Sequence, residues 1–159
     1  MSAPVLPEPP TEAGEASPTG DYRLGRQIGF LLRRAHQYAT EVFQAKIGDR
    51  NLTPQQFSVL ITLLEQREIA QTRLGGLTAM DPATVLGVVQ RLAQRGLVAV
   101  RTDPDDGRRR LVQLTRDGHE LARELVAIGP AISSETLEGL SDKEQRELLR
   151  LLDKLGQKG

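Results

Sequence analysis

Residues 77–118 read LTAMDPATVLGVVQRLAQRGLVAVRTDPDDGRRRLVQLTRDG, and the apolar period changes once along this stretch. Asp81 followed by Pro82 is a helix start, a capping carboxylate and then the one residue whose missing N–H costs nothing in the first turn. Val85, Val88, Val89 and Leu92 follow at spacings of three and four, the stripe of an amphipathic helix, and Gly96 stops it. From Leu97 the period becomes two. LVAVRT and LVQLT flank DPDDGRRR, so a two-stranded antiparallel hairpin with a long cationic tip is expected. Leu97, Ala99 and Arg101 fall on one strand face, Val98 and Val100 on the other.

Working outward, Ala70 to Leu77 can form one or two helical turns before Thr78-Ala79-Met80 breaks the pattern. Upstream, Leu52-Thr53-Pro54-Gln55-Gln56 is a capping box that opens a helix with Phe57, Leu60, Ile61 and Leu64 on one face, ending near Gln66. Leu24, Ile28, Leu31, Ala35, Tyr38 and Val42 predict a helix from about 22 to 47, ended by Gly48 and Asp49. Thr115 caps a helix with Leu121, Leu125, Ile128 and Ile132, which Gly129-Pro130 is expected to kink. Ser141 and Glu144 form a second capping box before Leu148, Leu151, Leu152 and Leu155. The chain is mainly α. Helix, short turn, capped helix, hairpin is the order of a winged helix-turn-helix with a small β-hairpin wing, and helices remain over at both ends.

Composition narrows the function. The 159 residues suffice for one domain with a core of its own. No Cys is present, which removes disulfides, thiolate metal sites and thiol redox sensing. Aromatics are 3% of the chain, too few for a base-stacking sheet. No run approaches the roughly 18 apolar residues of a membrane span, and the first 20 residues lack Lys and Arg, so a cytoplasmic protein without membrane partners is expected. Those 20 residues hold five of the nine prolines and three acids, the composition of a tail without fixed structure.

The formal net charge is zero, but it is unevenly spread. Residues 67–116 hold nine Arg against five acids, net +4, while 1–66 carry −1 and 117–159 carry −3. The excess lies on the helix-turn-helix and hairpin, where double-stranded DNA is the partner to expect. With the valine stripe inward, Thr84, Gly87 and Arg91 project from the second helix. Pro82, Ala83 and Thr84 at its N-terminus are candidates to meet a phosphate. Adjacent Arg108, Arg109 and Arg110 repel one another and are unexplained by turn stability, whereas a narrow, negative minor groove attracts arginine. Asp106 is placed to orient Arg108. As a calcium loop the tip fails, because Gly107 and Arg108 stand where ligand and glycine are needed.

The Leu77–Gly118 segment resembles the recognition helix and wing of the MarR family of bacterial transcriptional regulators, and LTPQQFSVL resembles that family's second helix. The likeness covers roughly residues 22 to 156. Its specific marks are a D-P-x-D-x-R-R wing, the L-T-x-x-G after it, and the R-x-x-x-RGLV helix exit. The resemblance implies a folded domain over 21–159, with a DNA-binding lobe at 52–116 and dimerisation helices at 21–48 and 117–159. It implies a homodimer on a pseudo-palindromic operator, with no cofactor or metal. Thr84, Gly87 and Arg91 match groove-facing positions, Arg108 the wing arginine and Asp106 its partner. Gly87 departs from the family, having no side chain where a polar reader is common. The resemblance also implies a small-molecule effector, an aromatic carboxylate or coenzyme A thioester that releases a repressor from DNA, for which Arg33, Arg34 and His36 are the cationic candidates.

Two rivals remain. An enzyme would have to work with His36 and His119 and without H-E-x-x-H, G-x-S-x-G, P-loop or dinucleotide signatures. A winged-helix interaction module without ligand control would have no use for the arginine tip. The leucine row of the last helix either packs on the domain's own core or meets a second copy.

Overall fold

The computed structural model describes residues 20–157. The Pro-rich acidic tail expected at residues 1–20 thus falls, except for Gly20, outside the described residues. The chain divides into two units, Met1–His36 and Gln37–Gly159. In the first, a 3₁₀ turn at Leu24–Arg26 precedes the start of helix α1, Ile28–Ile47. Tyr22, Leu24, Ile28, Leu31 and Leu32 are all exposed. Of the expected stripe, only Val42 is buried; Phe43 and Ile47, which the stripe omitted, join it in the core of the second unit.

The second unit continues with α2 (Pro54–Gln66), β1 (Glu68–Ala70), α3 (Gln71–Leu77), α4 (Pro82–Gln94), β2 (Val98–Thr102), β3 (Arg110–Leu114), α5 (Arg116–Thr136) and α6 (Asp142–Gly156). Local chemistry starts these helices where the caps lie. Thr53 accepts from the Gln56 amide at 3.2 Å while the Gln56 side chain accepts from the Thr53 amide at 3.0 Å. Asp81, Thr115 and Ser141 cap α4, α5 and α6. Gly96, with φ of 69°, ends α4 in the left-handed region that glycine enters without strain. Pro130, where a kink is expected, lies inside α5, a single helix of 21 residues that runs on through the Gly129-Pro130 pair.

The expected two-stranded hairpin is one part of a three-stranded antiparallel sheet in the order β1-β3-β2. Ile69 pairs Val112, and Val112 pairs Val100. The sequence pattern places Glu68 and Ile69 between two helices and Ala70 at the start of the second, yet all three form a strand. Three residues are too few to show alternation, and the strand exists because β3 supplies its hydrogen bonds. Burial along β2 falls off toward the tip. Val98 is buried, but Val100 on the same face is 42% exposed, because the hairpin runs out past the edge of the core.

The core gathers Phe43 and Ile47 of α1, Val59, Leu60 and Leu63 of α2, Leu74 of α3, the four α4 residues Val85, Val88, Val89 and Leu92, Val112 of β3 and Leu125 of α5. Phe43 and Phe57 meet edge to face, 5.6 Å between centroids. No helix among the described residues is long and apolar enough to cross a membrane.

Two glycines set how α4 is held. Gly75 of α3 lies where an added Cβ would meet the Met80 carbonyl oxygen at 3.1 Å and a Val85 methyl at 3.3 Å, so α3 and α4 cross closely there. A Cβ on Gly118 would sit 1.9 Å from the Leu97 carbonyl oxygen, inside any permitted contact. Gly118→Ala is expected to destabilise the fold by about 3 kcal/mol, since backbone must move to admit the methyl. Gly76→Ala, with open space around the new Cβ, should be neutral or stabilising by about 0.5–1 kcal/mol. Urea unfolding midpoints of the two variants check this contrast.

Candidate nucleic-acid interface

The N-terminus of α4 is closed by its own cap. Asp81 accepts from the Thr84 amide at 2.9 Å and from the Thr84 hydroxyl at 2.6 Å. These bonds, the hydroxyl's first, hold the Asp81 carboxyl below the usual aspartate value. The expectation that Pro82, Ala83 and Thr84 offer backbone amides to a phosphate is therefore corrected. Pro82 has no N–H, the Thr84 N–H is taken, and the anionic cap would repel a second anion at the same place. Pro82 and Ala83 remain exposed at the leading edge of the helix, and Thr84 is half-buried.

Gly87 and Arg91 form one unit. A Cβ at Gly87 would stand 3.4 Å from an Arg91 guanidinium nitrogen, so the guanidinium lies back across the bare Gly87 backbone. Arg91 is exposed and makes no ion pair among the described residues. With Val85, Val88, Val89 and Leu92 inward, the outward face also carries Ala83, Gln90 and Gln94, flanked by Leu86, which is 43% exposed. Thr84, Gly87 and Arg91 line one flank of this face, and Gln90 and Leu86 lie toward the other. Projecting the four inward residues at 100° per residue places both on the outward side.

In the wing, the loop between β2 and β3 is built by its aspartates. Asp103 accepts from the Asp105 amide and Asp106 from the Arg108 amide, each at 3.0 Å. The pairing expected between Asp106 and the Arg108 guanidinium is thus replaced by a bond to the Arg108 backbone, which shapes the turn. The three arginines separate. Arg109 faces Asp103 at 3.6 Å, and Arg110 donates to the Thr102 hydroxyl. The Arg108 guanidinium alone has no partner among the described residues and is exposed.

Two further arginines are structural. Arg95, at the end of α4, donates to the carbonyls of Asn51 at 2.8 Å and Arg50 at 2.9 Å, tying the helix exit to the turn before α2. Arg101 on β2 grips Glu68 on β1 with two bonds, of 2.8 and 2.7 Å, across the intervening β3. That bidentate bond lowers the Glu68 carboxyl from its ordinary value. Both partners lie far away in sequence, so neither role had a local signal.

Arg33, Arg34 and His36 are exposed on α1 in the first unit. The Arg33 and Arg34 guanidinium carbons stand 5.4 and 5.9 Å from the Phe30 ring centroid. Cavities occur in the second unit, one of about 290 Å³ beside Asp81 and Thr84, and one of about 620 Å³ along the leucine face of α6.

Comparison with known proteins agrees with this geometry. The MarR family model matches residues 52–109. The HTH-type transcriptional repressor NicR of Pseudomonas putida is 37% identical over 134 residues, 84% of this chain and 85% of its own length. A crystal structure of a probable transcriptional regulator from Pseudomonas aeruginosa is 46% identical, with a TM-score of 0.77 over 84% of this chain and 99% of that one. Bordetella bronchiseptica BpsR, whose DNA binding is regulated by 6-hydroxynicotinic acid, is 42% identical, with a TM-score of 0.81 over 86% of this chain and 98% of its own.

The unpartnered wing arginine yields a test. Arg108→Ala is expected to weaken DNA binding by about 1–3 kcal/mol, most on duplexes with a narrow A·T minor groove. Asp106→Ala should lose less, through the turn it shapes. Fluorescence anisotropy on A·T-rich and G·C-rich duplexes at fixed salt reads both.

Proposed function

Because the chain belongs to the MarR family and is a DNA-binding transcriptional repressor of that type, we propose that it works as a homodimer on a pseudo-palindromic operator and is released by a small aromatic acid. The observation that carries the dimer is the bare leucine face of α6. Leu148, Leu149, Leu151, Leu152 and Leu155 are 37–56% exposed in the single chain, and α6 has no buried residue. A row of that size on one helix is what a second copy would cover. Each chain has one recognition helix, and two joined helices bind far more tightly than one.

On the operator, α4 enters the major groove and Arg108 the adjacent minor groove, with Thr84, Gly87, Arg91, Asp106 and Arg109 as the supporting set. Half-sites then lie about one helical turn, roughly 10 bp, apart. For the effector, the free aromatic acid is favoured over its coenzyme A thioester, because BpsR responds to an acid of this kind. Arg33 and Arg34 beside Phe30, with His36, are the groups assigned to its carboxylate.

Leu151→Glu with Leu152→Glu should give a monomer in sedimentation, with operator affinity lower by about a hundredfold or more. A dimer with unchanged affinity would remove α6 from the interface. With 6-hydroxynicotinic acid as probe, a tenfold loss of DNA affinity must appear as tenfold weaker probe binding to the DNA-bound protein, a coupling of about 1.4 kcal/mol. Calorimetry on free and DNA-bound protein measures it, and equal affinities would contradict ligand-controlled release. Alanine at Arg33, Arg34 and His36 should abolish the response; a response left intact would place the effector elsewhere.

A further inference from the structure

The outward face of α4 has little hydrogen-bonding capacity of its own. Ala83 and Gly87 carry none, the Thr84 hydroxyl is engaged with Asp81, and Arg91 lies back across Gly87. Gln90 is exposed at the centre of that face, and its amide makes no hydrogen bond among the described residues. One turn earlier, Leu86 is 43% exposed, an apolar side chain presented outward on the helix that enters the groove. Gln94 also faces outward, but it is the last residue of the helix, a full turn further than Gln90 from the N-terminal part through which recognition helices reach bases.

We propose that Gln90 and Leu86 are specificity-determining residues that read A·T pairs in the major groove, an inference that rests on the operator-binding reading above. A glutamine amide matches adenine in two places at once. Its carbonyl oxygen accepts from the adenine N6 amino group, and its NH₂ donates to N7. Guanine presents O6 at the N6 position, so the same amide would set oxygen against oxygen. Leu86 covers a thymine C5 methyl, a group that a G·C pair lacks. The two side chains are about 6 Å apart along the helix axis, matching about two base-pair steps of 3.4 Å. The small residues beside them leave Gln90 room to lie flat on a base edge.

The test is selection from a randomised duplex library by the wild-type protein, Gln90→Ala and Leu86→Ala. Both side chains are exposed, and thermal melting confirms that the variants are folded. The wild type is expected to enrich a repeated half-site in which Gln90→Ala loses an adenine preference and Leu86→Ala a thymine preference. On the duplex selected by wild type, 7-deazaadenine at that adenine should weaken wild-type binding about tenfold, and deoxyuridine at that thymine about fourfold. Gln90→Ala should be indifferent to the first change and Leu86→Ala to the second. If both variants enrich the same half-site as wild type, or wild type ignores both analogues, the assignment is overturned while operator binding stands. A wild type that enriches no repeated half-site overturns the operator-binding reading, and this one with it.

Discussion

The Leu97 carbonyl is the point on which the DNA-binding lobe turns. It accepts the Thr115 amide at 3.1 Å and lies so close to Gly118 that no side chain fits there. The Thr115 hydroxyl donates to the Gly96 carbonyl at 2.7 Å and accepts from the Gly118 amide at 3.1 Å. Four residues therefore join the exit of α4, the base of the wing and the first turn of α5. Gly96 turns the chain out of the recognition helix, Thr115 starts the next one, and Gly118 allows the two to touch. Helix α4 and the wing inherit a fixed relation from this corner, as the proposed reading of adjacent grooves would require.

Charge on this lobe is largely consumed by the fold. Arg95 holds a turn, Arg101 holds β1 through Glu68, Arg109 faces Asp103, and Arg110 meets Thr102. Exposed pairs of this kind contribute little to stability each, but they keep like charges apart and rigidify the wing. Arg91 on the recognition helix and Arg108 at the tip remain uncommitted among the described residues, as do Arg67 after α2 and Arg73 on α3. A chain of zero net charge thus still presents free cations on this lobe, Arg91 and Arg108 among them.

The apolar surface has a parallel logic. The core of the second unit is closed around aliphatic side chains from every helix except α6, with Phe43 and Phe57 as its aromatic pair. The leucines of α6 have no place in it. An amphipathic helix whose apolar side is left uncovered is stable only when something else covers it, and the proposed dimer would supply that cover.

The helix starts were legible because capping is local. Thr53, Asp81, Thr115 and Ser141 each act within three residues, and the α4 stripe lies within one segment, so residue order alone determined the helix-turn-helix and its hairpin. The likeness of the wing motif reached the family by the same local route. Tertiary structure decided what depends on partners distant along the chain. Strand β1 exists through β3, more than forty residues later; Arg95 and Arg101 acquired structural work from residues 45 and 33 positions away. At the wing, Asp106 chose a backbone amide over a guanidinium, because the short bond within the turn positions it first. On α4 the anionic cap, not a phosphate, took the first amides. A pattern in sequence states which residues share a face; only the packed chain states which of their polar groups are still available to a ligand.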